Sequence, residues 1–139
     1  MVGLKAERED WAYWKTKYTG SAFFLERIFG ILYFNALKSV TVPRQKYQVT
    51  VDNDSFMDLP KAISVCQRLA KANNYLFDIS IGYRKFNEMI KYPDYVAAAT
   101  RRITDTKKFR PYANLTLKGA YISEEDAYKA FRLDKRNRH

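Results

Sequence analysis

The residues between Lys46 and Tyr83 restrict the fold more than any others. Lys46–Val51 alternates, with Tyr47, Val49 and Val51 on one side and Lys46, Gln48 and Thr50 on the other. That is the period of a half-buried strand. Asp52-Asn53-Asp54-Ser55 is a turn cluster. Pro60 suits the first position of a helix, and Asp58 lies close to its positive end. Pro60–Ala72 then turns Ile63, Cys66 and Ala70 inward, flanked by Val65 and Leu69, and Asn73-Asn74 stops it. Tyr75–Tyr83 alternates again, with Tyr75, Phe77, Ile79 and Ile81 on one face. Strand, helix and strand with short joints predict a β-α-β unit over residues 46–83. Its two strands are adjacent and parallel, or flank a third.

Around this unit the pattern predicts helices. Residues 1–20 form a charged, aromatic N-terminal segment. Its helix carries acids first and bases last, with Trp11, Trp14 and Tyr18 on one face. Thr19-Gly20-Ser21 breaks it, and Ser21 is placed to cap the next helix. That apolar helix spans 22–38 and is greasy on nearly all sides, so Ala22–Leu37 predicts cover from a protein partner or a second copy. Arg84–Lys91 reads as a short helix, and Tyr92-Pro93-Asp94 starts another with Val96, Ala99 and Ile103 as its seam. Tyr112–Leu117 alternates as a third strand, Lys118-Gly119 reads as a turn, and Ser123 caps a helix over Glu124–Leu133. The expected fold is α+β: a single small domain, residues 1–139. A sheet of about three strands contains the β-α-β unit, and five or six helices cover it.

Several classes are disfavoured by composition. One cysteine allows neither an intrachain disulfide framework nor a cysteine-rich zinc site, and the only histidine is His139. No Gly-rich phosphate loop is present among five glycines. The N-terminal residues lack the apolar run of a secretory signal. Ala22–Leu37 has 16 residues and includes Glu26 and Arg27, whereas a membrane span needs about 20 apolar ones. The expectation is a protein of the cell interior, or of the host cytoplasm or virion if viral, with no membrane partner, metal or cofactor. One nuclease spelling occurs: Pro93-Asp94 followed by Asp105-Thr106-Lys107 matches the loose PD-(D/E)xK signature. That chemistry needs two carboxylates on one metal, and the helix expected between them holds them apart. No catalytic residue is therefore assigned, and the expectation is a non-enzyme.

Charge gives the positive indication. Lys and Arg number 25 against 15 Asp and Glu, a net +10. Residues 84–139 form a basic helix-strand-helix half. Over its core, Arg84–Arg110, the bases Arg84, Lys85, Lys91, Arg101, Arg102, Lys107, Lys108 and Arg110 oppose Glu88, Asp94 and Asp105, with Phe109 and Tyr112 interleaved. Arg132, Lys135 and Arg136 extend the field. Bases for phosphates and rings for stacking are the composition of a nucleic-acid surface, DNA or RNA. Eight neutralised phosphates correspond to a log–log salt slope of about −7 on duplex DNA. A ribonucleoprotein or a viral or phage nucleoprotein assembly is the setting such a chain suits. The alternative is a protein-interaction subunit or inhibitor that docks its basic face and apolar helix on an acidic partner.

The run Gly119-Ala120-Tyr121-Ile122-Ser123-Glu124-Glu125-Asp126-Ala127-Tyr128-Lys129-Ala130-Phe131 resembles the last strand and helix of AP2-type DNA-binding domains. The two DNA-reading strands of that family have no counterpart here, and the resemblance carries no binding residue across.

Overall fold

A computed structural model describes residues 2–53, 56–83, 88–102 and 116–132. In chain order these give β1 (Val2–Lys5), α1 (Arg8–Lys17), α2 (Phe24–Lys38), β2 (Lys46–Asp52), α3 (Leu59–Ala72), β3 (Leu76–Gly82), α4 (Lys91–Arg102), β4 (Thr116–Gly119) and α5 (Glu124–Ala127). A 3-10 turn, Glu88–Ile90, precedes α4, and a π turn, Tyr128–Arg132, continues α5. The mixture of helix and strand is that of an α+β protein.

The β-α-β unit forms as the alternation predicts. β2 and β3 pair in parallel from Lys46 opposite Leu76 to Asp52 opposite Gly82. Phe77 is buried, Tyr47, Val49 and Ile79 are half-buried, and Lys46, Gln48, Thr50, Asp78 and Ser80 are exposed. The carboxylate of Asp58 accepts from the Lys61 amide at 3.3 Å and caps α3. Its buried face is Ala62, Val65, Cys66, Leu69 and Ala70, with Ile63 only half-buried. Burial pushes the Cys66 thiol up to about 12, so it packs as a small neutral group.

The core lies where α2 crosses α3. Ile28, Ile31 and Phe34 are fully buried against Val65, Cys66 and Leu69. Gly30 lets the two helices approach, because a Cβ there would fall within 2.7 Å of the Ala62 carbonyl oxygen. α1 closes one end of the core. Trp14 is buried, Trp11 lies edge-on to it, and Tyr18 stacks on Phe131 with centroids 4.2 Å apart.

Four expectations are corrected. The described strands form two two-stranded sheets, β1–β4 and β2–β3, not one sheet of three. The late strand pairs in parallel with β1, a strand of four residues at the start of the chain. Lys118-Gly119 therefore belongs to that strand and is no turn, while residues 111–115 lie outside the described set. Ser21 does not cap α2. Phe23 occupies the cap position in a left-handed conformation (φ 52°), its ring 3.0 Å from Lys61 Nζ. Of the short helix expected over Arg84–Lys91, residues 84–87 lie outside the described set, Glu88–Ile90 is a 3-10 turn and α4 begins at Lys91. Pro93 still falls in its first turn, where no intrahelical donor is lost. Finally, Ser123 caps α5 by accepting from the Asp126 amide at 3.0 Å, but the helix widens to a π turn from Tyr128. Among the described residues, no helix is long and apolar enough to cross a membrane.

Candidate nucleic-acid interface

Of the bases singled out in the sequence, Arg101 is exposed on the last turn of α4. Arg102 ends the same helix, while Lys91 opens it about 16 Å away (eleven steps of 1.5 Å). Arg132 ends the π turn after α5, on a separate element. Arg84, Lys85, Lys107, Lys108, Phe109, Arg110, Tyr112, Lys135 and Arg136 lie outside the described residues. So do Asp105 and Lys107 of the nuclease spelling, whose Asp94 falls within α4. Of the bases singled out, only Arg101 has its side chain among those described.

A different set of bases does converge. In a parallel β-α-β unit the crossover helix runs back against the strands, so its C-terminal end meets the N-terminal ends of both. Arg44 precedes β2, Lys46 opens it, Lys71 lies in the last turn of α3, and Asn74 and Tyr75 lead into β3. All five line one groove of about 990 Å³. Arg44, Lys46 and Lys71 are exposed, and Asp78 is the one acid among the described lining residues. The bases carry no ion pair among the described residues; the pairs found are Lys5–Glu7, Lys17–Glu124 and Lys129–Glu125.

The remaining lining is amide and aromatic. Gln48, Gln67 and Asn74 contribute amides, and Gln67 Nε2 donates to the Phe77 carbonyl at 2.9 Å, tying α3 to β3. Tyr47 and Tyr75 present half-buried rings, each packed on Phe77 at 6.3 and 5.6 Å. The carbonyls that end α3 are capped, since the amides of Asn73 and Tyr75 both reach the Ala70 carbonyl and Asn73 Nδ2 donates to Leu69. Partial negative charge at that helix end is therefore damped where the groove begins.

Arg44 is the unusual member. Its φ is +67°, and its amide donates to the Asn74 carbonyl at 2.8 Å; Asn74 itself has φ +62°. Asparagine tolerates that region, whereas arginine gains nothing from it. Arg44, Lys46 and Lys71 are sparse along the chain, so linear charge density does not single them out. The signal that finds them is topological: bases at the start of one strand and at the end of the crossover helix share one end of the unit.

A second concavity differs in chemistry. A groove of about 720 Å³ runs between α2 and α4 over β1. Phe29, Leu32 and Tyr33 form one wall, Pro93 and Val96 the other, and among the described residues Lys5 and Arg101 are its charged lining. Comparison of the chain with protein-family models, with curated proteins and with solved structures gave no match.

Proposed function

We propose that the chain is a non-enzymatic nucleic-acid-binding protein that engages the phosphate backbone. The observation that carries this reading is the groove at the amino ends of β2 and β3. Among the described residues, three bases without an ion pair, three amides and two tyrosine rings line it against a single carboxylate. Cations that track phosphates beside rings and amides that meet bases are the parts of a nucleic-acid site. The net charge of +10 supplies long-range attraction to a polyanion. In this proposal Arg101, Arg102 and the remaining bases of residues 84–139 extend the contact. The groove's position argues against a coenzyme site, since open parallel sheets hold nucleotides beyond the carboxyl ends of their strands.

A salt titration of binding to nucleic acid tests the reading. Three contacts on a single strand give a log–log slope of about −2, and recruitment of the later bases steepens it. Affinity that is flat between 50 and 500 mM salt would sink the proposal.

The second reading, docking on an acidic protein partner, rests on the groove between α2 and α4. Its described lining is apolar apart from a few polar and two basic side chains, which suits a partner segment with an apolar face and acidic flanks. A second copy, itself carrying +10, is repelled. Light scattering at two concentrations is then expected to give the monomer mass at both, and a dimer at the higher one removes the acidic-partner assignment.

A further inference from the structure

We infer that the groove beside β2 and β3 takes a single strand, with Arg44 as its phosphate anchor; this rests on the nucleic-acid reading above. The first argument is shape. A protein reads duplex DNA by pushing a helix or a β-ribbon into the major groove. Here the bases line a recess, flanked by the end of α3 and the turn at Arg44. A recess admits a flexible strand with its bases splayed, not the paired stack of a duplex.

The second argument is the lining. Gln48 and Asn74 are exposed amides that pair with the edges of bases, and those edges are free for such contacts in single strands. Tyr47 and Tyr75 offer ring surface beside them. The exposed Asp78 adds an acceptor for the exocyclic amino group of a base.

The third argument is Arg44. Its left-handed backbone position is one that glycine fills with the least strain. The amide contact to Asn74 uses only backbone atoms, so glycine would keep it. The arginine side chain is exposed at the groove and carries no ion pair among the described residues. Neither the turn nor the packing accounts for a guanidinium there. A phosphate contact does, because a planar fork of donors matches phosphate oxygens.

Arg44→Gly separates binding from folding, since the substitution relieves the backbone while deleting the anchor. The experiment is fluorescence anisotropy with labelled oligothymidylate, oligouridylate and a mixed-sequence duplex, each of about a dozen units, at 0.1 M salt. The expected result has at least one single strand bound about tenfold more tightly than the duplex. Arg44→Gly then weakens single-strand binding by about fivefold and makes the log–log slope shallower by about 0.7, the loss of one contact. The thermal midpoint of the variant stays equal or rises. Lys15→Ala, which removes the same charge from the exposed side of α1, changes affinity by less than about twofold.

Duplex binding equal to or tighter than single-strand binding overturns this inference and leaves the parent reading standing. Unchanged single-strand binding in Arg44→Gly does the same. If no oligonucleotide binds at all, the parent reading falls and this inference falls with it.

Discussion

Gly30→Ala is expected to destabilise the protein by about 2–3 kcal/mol, although the same substitution in an ordinary helix interior stabilises by about 1 kcal/mol. The reversal of sign follows from the α2–α3 crossing. A Cβ on Gly30 would lie 2.5 Å from Val65 Cβ, 2.6 Å from Val65 Cγ1 and 2.7 Å from the Ala62 carbonyl oxygen. Two of these atoms cannot rotate away, because one is a backbone carbonyl and the other a Cβ. The helices must separate, and the fully buried Ile31 and Phe34 beside Gly30 lose contacts as they do. Val65→Ala cannot fully rescue the variant, since Val65 Cβ and the Ala62 carbonyl remain. Urea unfolding of wild type, Gly30→Ala and Gly30→Ala/Val65→Ala checks this. A Gly30→Ala protein more stable than wild type would show that the helices do not cross here.

Lys46→Glu/Lys71→Glu is expected to weaken nucleic-acid binding on the order of hundredfold at 0.1 M salt. Each single-strand phosphate contact is worth about fivefold between 1 M and 0.1 M salt. The double reversal removes two contacts and adds two repulsive charges in the same groove. Both side chains are exposed, so the fold survives. Placing an acid at the negative end of α3 costs only about 0.5 kcal/mol. Anisotropy titrations read the affinity, and circular dichroism confirms the fold. A variant that binds like wild type removes the groove from the proposed contact and leaves only the bases of residues 84–139 to carry it.

The parts of the fold that sequence made legible are those whose signals are local. The β-α-β unit declares itself through alternation at Lys46–Val51, the Asp58 and Pro60 start of α3, and the Asn73-Asn74 stop. The aromatic face of α1 is legible for the same reason. β1 was not, because four residues with Gly3 among them carry no period, and its partner lies at Thr116–Gly119. Without a period at β1, the pattern alone attaches the late strand to the central sheet, whereas its partner is Val2–Lys5. The interface shows the same division. Linear density of Lys and Arg directs attention to residues 84–139, but a surface is defined by proximity in space. Arg44 and Lys71 are 27 positions apart and meet only because a crossover helix returns to the edge from which it left.

The pairing of Val2 with Thr116 has a consequence for biosynthesis. Residues 46–82 close on themselves soon after they leave the ribosome, whereas Val2–Lys5 must wait for a partner 114 positions downstream. At translation rates of about 5–20 residues per second that delay is roughly six to twenty-three seconds. Throughout it, the nascent chain keeps an unpaired strand edge open to other nascent chains and to chaperones.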